Sequence, residues 1–331
     1  MTKPEPITIQ NPSETPEIRV SRTRIIIGLL IGAAALYLIV RNIDFGDVVS
    51  AFQSMNSTLI ILAFAVILIT IVVKTWRWYL IFAASGNPPS FRALFWALVT
   101  GQFFNAVIPL RTGEIARVLS LDQQENISKS KTLSTLVIEK TLDILGLLAT
   151  IVLLLPFITL PKEVTDQGGT LAIILVAAVP ILLILLFSAR YFRRVLVAVD
   201  ERLPSWMNFR MVQILDSGLE GLAALRSGRG LMRISGVTFL IVLLSVLTPL
   251  ILFRAFSLPY GLREAIILNL LVTAATAPPS TPGRVIVFLA IVRLALEGLG
   301  AVDSGLVLSY AIAFLVIVYT PSLILGGIAL A

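Results

Sequence analysis

Residues 91–119 read FRALFWALVTGQFFNAVIPLRTGEIARVL, and residues 261–289 read GLREAIILNLLVTAATAPPSTPGRVIVFL. Each stretch has an arginine near its start, Arg92 and Arg263, followed by an apolar half-helix. Each then breaks at a P-x-x-x-G hinge, Pro109 to Gly113 and Pro279 to Gly283, and resumes as a second half-helix. Proline in a helix interior removes a backbone hydrogen bond and clashes with the preceding turn, so neither stretch reads as one continuous rod. Paired apolar segments, interrupted by Pro and Gly at matching places in two halves of a chain, point to a transporter binding site built from discontinuous helices.

The surrounding sequence supports a membrane setting. Of 331 residues, 57% are hydrophobic and 14% charged, against about 45–50% apolar and about 25% charged in a soluble domain. The apolar excess lies in runs at 25–40, 58–73, 144–155, 171–187, 234–253 and 305–330. About 20 apolar residues cross a hydrocarbon core about 30 Å thick, and barrel strands would be shorter and alternating. The expected fold is therefore an all-α polytopic membrane protein, with about six full transmembrane helices and the two broken segments. The first 24 residues hold Pro4, Pro6, Pro12 and Pro16 and read as a disordered cytoplasmic tail. Residues 25–331 then form a single transmembrane domain. The run 25–40 reads as an uncleaved span, because Arg41 closes it and no small-residue cleavage site follows.

Basic residues set the orientation. Arg19, Arg22 and Arg24 precede the first span, and the segment 190–232 is rich in arginine, including Arg190, Arg193, Arg194 and Arg226. Both belong on the cytoplasmic side, the second as an amphipathic loop at the headgroups. An even number of crossings must then separate them. That parity holds only if 91–119 enters and leaves on the cytoplasmic face as a re-entrant hairpin. The second broken segment, about 263–297, would enter from the external face as its inverted counterpart. N- and C-termini both fall in the cytoplasm of a cell membrane.

There is no His and no Cys. Disulfides, His/Cys zinc sites and Ser-His hydrolysis are excluded, and no cofactor or metal is expected. The net charge of +7 reads as membrane placement rather than nucleic-acid binding. Asp44 and Asp47 read as a helix cap. Lys74 and Arg77, beside Trp76 and Trp78, read as an interfacial anchor.

Ionisable residues inside spans are costly and face a cavity or a partner. Glu139, Lys140 and Asp143 lie within 132–155. Glu139 and Asp143, at i and i+4, share a helix face, and Lys140 lies off that face. The missing basic partners are expected from the first hinge, where Arg111, Glu114 and Arg117 follow one face of the second half-helix. Gly113 lets backbone N–H groups approach a ligand, and the arginine forks suit phosphate. Arg284, directly after Pro282 and Gly283, is placed on the opposite side of the same cavity. The candidate substrate-binding set is thus Arg111, Gly113, Glu114, Arg117, Glu139, Lys140, Asp143, Pro282, Gly283 and Arg284. Pairing of the arginines with these carboxylates for structure alone is the competing reading.

At these residues the chain resembles the membrane domain of lysylphosphatidylglycerol synthases and its flippase-like relatives. The matching motifs are Pro109-Leu-Arg111-Thr-Gly113-Glu114-Ile-Ala-Arg117, Glu139-Lys140-Thr-Leu-Asp143 and Ser280-Thr-Pro282-Gly283, with Asp44-Phe45 and Arg77-Trp78 also similar. Lys140 replaces the family's usual arginine, and Arg284 stands where a further glycine is frequent. The resemblance implies a translocase for a phospholipid or polyprenyl-phosphate-linked lipid, its partner a membrane lipid with a phosphate headgroup. It also implies that a chain ending at Ala331, without the synthases' aminoacyl-transferase domain, does not make aminoacylated lipid by itself. Two alternatives stand beside it. One is a membrane-embedded transferase with Glu139 or Asp143 as base. The other is an accessory subunit for a lipid synthase or glycosyltransferase.

Overall fold

The computed structural model describes residues 45–84, 86–107, 112–154, 228–276, 284–300 and 304–330. The expected tail, the expected spans 25–40 and 171–187, both proline hinges and nearly all of the arginine-rich loop lie outside these residues. Within them every regular element is a helix. They are α1 (Phe45–Ser54), α2 (Ser57–Ala84), α3 (Phe91–Val107), α4 (Gly113–Glu125), α5 (Lys129–Leu154), α6 (Gly228–Ala255), α7 (Leu262–Thr276), α8 (Arg284–Gly298) and α9 (Ser304–Leu330).

Three of these, α2, α6 and α9, are long and apolar enough to cross a membrane. At 28 residues, α2 extends about 42 Å. Helix α5 has 26 residues, enough length, but carries three of its five charges, Glu139, Lys140 and Asp143, near the middle. The long helices are apolar outside as well as inside. Ile61, Ile69 and Val72 of α2, Phe239 and Leu243 of α6, and Val316 and Ile324 of α9 are all exposed. A helix hydrophobic on every side belongs in lipid or a large core. Hydroxyls on these helices donate back to their own backbone: Thr70 to Val66, Thr75 to Ile71, Thr238 to Ile234 and Ser309 to Gly305. That arrangement satisfies them where water is absent.

The packing forms two main cores. One gathers Ile71, Trp78 and Phe82 from the second half of α2, with α3, α4, Leu136 of α5, and Leu325 and Ala329 near the end of α9. The other gathers Ala63 and Val66 from the first half of α2, the end of α6, α7, α8 and the first half of α9. Helices α2 and α9 thus run through both, and the pairs α3/α4 and α7/α8 sit at opposite ends of the bundle.

Each pair closes on itself. Helix α3 stops at Val107 and α4 starts at Gly113, while the Ser90 N–H donates to both oxygens of Glu125 at 3.1 and 3.0 Å. The beginning and end of the first pair therefore meet. In the second pair, Tyr260 Oη donates to the Leu296 and Gly300 carbonyls at 3.2 and 3.0 Å. Burial and the nearby Glu264 raise the phenol above its ordinary pKa, so it remains a donor. Glu264 accepts the Gly261 N–H at 2.8 Å and caps α7. At 17 and 13 residues, α3 and α4 extend about 25 and 20 Å, each short of a full crossing.

Glycines permit the first pair to close. A Cβ on Gly101 would lie 2.5 Å from Arg117 Cγ and 2.8 Å from the Gly113 carbonyl oxygen. A Cβ on Gly113 would strike the Gly101 carbonyl, and one on Gly326 would strike Phe103 of α3. The second pair packs differently, among rings: Phe253 stacks on Tyr310 at 5.1 Å, and Phe288 meets Phe314 edge-on at 5.0 Å.

Candidate functional site

Helix α4 begins without a side-chain cap from Thr112. Its first N–H, on Gly113, donates instead to Asn105 Oδ1 of α3 at 3.0 Å. One orphan donor of the helix start is thus satisfied across the pair, and this fixes how α4 leaves the break. One turn on, Arg117 points from α4 toward α5 and meets Glu139 with a double fork: Nη1 to Oε1 at 3.1 Å and Nη2 to Oε2 at 2.7 Å. Its guanidinium lies 3.8 Å over the Trp78 ring. Trp78 is in turn fixed by a bond from Nε1 to Thr135 Oγ1 at 3.0 Å. Arg117 and Glu139 are 5% and 7% exposed, so this is a buried bidentate pair clamped by an aromatic face.

Arg77 of α2 is 2% exposed. Its Nη2 donates to Asp143 Oδ1 at 2.6 Å and lies 4.0 Å from Glu139 Oε1. The reading of Arg77 and Trp78 as an interfacial anchor is therefore corrected: both are buried, and only Trp76 is exposed as an anchor would be. The helix period carried the signal. Thr70, Arg77 and Ile81 recur at helical spacing on the buried face of α2, whereas Trp76 lies about 100° away from Arg77.

Arg77 is also incompletely satisfied. Its Nε and Nη1 are buried with no hydrogen-bond partner among the described residues, and the same holds for Arg117 Nε, Glu114 Oε2 and the hydroxyls of Thr112 and Thr132. Orphaned buried polar atoms are costly and uncommon in folded proteins. The two free guanidinium nitrogens of Arg77 and the Nε of Arg117 give the site unspent capacity to bind acceptors.

The rim is more open. The side chains of Lys140 and Asp143 are 47% and 43% exposed. Lys140 Nζ stands 3.8 Å from Glu114 and 4.0 Å from Asp143. Lys74, one turn before Arg77, acts electrostatically on Asp143 and Glu139. Among the described residues, Arg77, Arg117 and Lys140 thus face three carboxylates, Glu114, Glu139 and Asp143.

Of the residues expected at the site, Glu114, Arg117, Glu139, Lys140 and Asp143 come together, and Gly113 lies against Gly101 behind Arg117. Arg111, Pro282 and Gly283 lie outside the described residues. Arg284 opens α8 in the other pair. Among the described residues there is no cluster of three or more metal-ligating side chains.

Two comparisons bear on these residues. The family model described as lysylphosphatidylglycerol synthase TM region matches residues 25–326. A UPF0104 membrane protein of Methanocaldococcus jannaschii is 27% identical over 129 residues, which is 38% of this chain and 38% of that protein.

Proposed function

The chain belongs to the family of the lysylphosphatidylglycerol synthase transmembrane region, and from that membership we propose that it is a lipid flippase. Its substrate is an anionic phospholipid or a polyprenyl-phosphate-linked lipid, moved between the leaflets of a cell membrane. The observation that carries the reading is the Arg77 guanidinium, buried, bonded through one nitrogen, with two others that have no partner among the described residues. A phosphate oxygen supplies the acceptors those nitrogens lack. Burial strengthens the attraction of that guanidinium for an anion.

The roles divide by how firmly each group is held. Arg117 and Glu139 pair through both Nη atoms and hold α4 to α5. Arg77 takes the phosphate, joined by Arg111 from the break between α3 and α4. Asp143, half exposed, is the counter-ion that yields when phosphate arrives. Glu114 and Lys140 read the remainder of the headgroup at the rim. Gly283 and Arg284 serve the second break.

Transport requires access from both leaflets. In this reading α3/α4 and α7/α8 are re-entrant hairpins entering from opposite faces. Their closed bases, Ser90 with Glu125 and Tyr260 with Leu296, and their positions at opposite ends of the bundle support it. The α3/α4 end carries Arg92, Lys129, Lys131, Arg229 and Arg233 and is placed in the cytoplasm. The test is leaflet exchange of a fluorescent anionic phospholipid in reconstituted vesicles. Arg77→Gln and Arg111→Ala should each lower exchange about tenfold or more, the loss of one charge-assisted hydrogen bond, with an unchanged gel-filtration profile. Wild-type exchange in both variants overturns the assignment.

A further inference from the structure

On the face of α3/α4 turned away from α5, a groove of about 610 Å³ runs between these helices and the last turn of α9. Its lining is graded along its length. Arg92, Gln123 and Gln124 stand at the base of the pair, where Ser90 and Glu125 meet. Trp96 and Leu119 follow, and Phe104 closes the deep end. From Arg92 to Phe104 is twelve residues of helix, about 18 Å. That is close to half of a hydrocarbon core about 30 Å thick, the depth of one leaflet.

The polarity of the groove matches a single class of occupant. Arg92 is exposed and is its one charged lining residue. Among the described residues no carboxylate pairs with Arg92: Glu125 accepts the Ser90 N–H, and Asp122 pairs with Lys129 at 3.2 Å. Gln124 donates to Ser120 at 2.7 Å, which keeps an amide and hydroxyl near the mouth rather than in the apolar depth. A cation with hydrogen-bonding groups at one end and aromatic and aliphatic walls one leaflet deep complement an anionic headgroup and an acyl chain.

We propose that this groove is a second lipid site, which holds one anionic phospholipid of the adjoining leaflet by headgroup and chain. It is distinct from the Arg77 cluster. Thr100 and Ala116 line the groove, while their helical neighbours Gly101 and Arg117 pack against each other toward the cluster. The hairpin is only one close-packed layer thick there. A lipid in the groove would press on the contact that positions Arg117. Binding here does not depend on whether the protein transports lipid.

The test uses the full chain in nanodiscs with phosphatidylglycerol or phosphatidylcholine carrying a photoactivatable mid-chain group, and peptide mapping by mass spectrometry. Crosslinks from phosphatidylglycerol should concentrate on Trp96, Phe104 and Leu119. They should exceed those from phosphatidylcholine about fivefold, and Arg92→Gln should remove that ratio. Ala116→Trp, which fills the groove, should abolish the crosslinks for both lipids, while labelling at lipid-facing Leu243 persists in all variants and reports an intact fold. Labelling of the groove no greater than that of Leu243, or independent of headgroup, overturns the proposal. Because the readout is binding, wild-type crosslinking in an Arg77→Gln protein that fails to exchange lipid would uphold this site and separate it from the transport reading.

Discussion

At the scale of the residue, two arginines of one cluster are built for different work. Arg117 bonds Glu139 through two nitrogens under an aromatic face, leaving only its Nε without a partner among the described residues; Arg77 bonds Asp143 through one and leaves two. Breaking a buried pair leaves an uncompensated charge and costs about 3–5 kcal/mol, whereas replacing both partners by apolar groups of similar volume is far milder. Glu139→Gln should therefore lower stability by about that amount, read as the midpoint of denaturant unfolding in detergent. The double replacement Arg117→Met with Glu139→Leu should recover most of the loss. If the double variant is as unstable as the single one, the pair is not the stabilising unit described. Arg77→Met should cost less than Glu139→Gln, because the Asp143 carboxylate it leaves behind is half exposed and can be taken up by water. The acidic half of this site was legible in the sequence, since Glu139 and Asp143 at i and i+4 inside a span demand cations. The identity of the cations was less so: Arg77 is 66 residues from Asp143, and only packing α2 against α5 joins them.

At the scale of the element, the first pair depends on backbone approach. The Pro/Gly stretches mark both expected breaks in the sequence, and both hinges lie outside the described residues, beyond Val107 and Thr276. Invisible there is why Gly101 has no side chain, because its neighbour Gly113 lies across the turn rather than one helical turn away. Gly113→Ala sets a methyl against the Gly101 carbonyl, a backbone atom that moves only with its helix. Gly101→Ala meets Arg117 Cγ, which can shift, and the Gly113 carbonyl at 2.8 Å. Overpacking costs about 1–3 kcal/mol, and Gly113→Ala should sit at or above the upper end. The adjacent pair Gly326 and Gly327 supplies a control on α9. A Cβ at Gly326 strikes Phe103, while one at Gly327 meets nothing within 4 Å. Gly326→Ala should lower the melting temperature, and Gly327→Ala should leave it unchanged or raise it slightly through helix propensity. Equal effects at the two positions would remove the argument that α9 touches α3 at Gly326.

At the scale of the molecule, the two halves share a plan and not a chemistry. Each helix pair closes at its base, one through Glu125 and one through Tyr260, and each occupies one end of α2 and α9. Among the described residues the buried charges gather in the first half, while the second is packed with aromatic rings, stacked at Phe253 and Tyr310 and edge-on at Phe288 and Phe314. The sequence carries the plan because hinges and apolar runs are local. It carries the asymmetry only as a list of charges, since their meeting depends on helices far apart in the chain. The plan requires that the two ends face opposite sides of the membrane, and the absence of cysteine makes that directly measurable. Ser128, between α4 and α5, and Gln53, on α1 beside the end of α6, are both exposed. They lie at opposite ends: the Asn56 N–H donates to the Ala255 carbonyl at 2.9 Å and fixes the α1 end to the end of α6. In intact cells a membrane-impermeant maleimide should label Gln53→Cys and spare Ser128→Cys, with Ser128→Cys labelled only after permeabilisation. The reverse pattern would invert the orientation while keeping the fold. Labelling of both from outside would place the two ends on one face, and neither the opposed hairpins nor a path between leaflets would then remain.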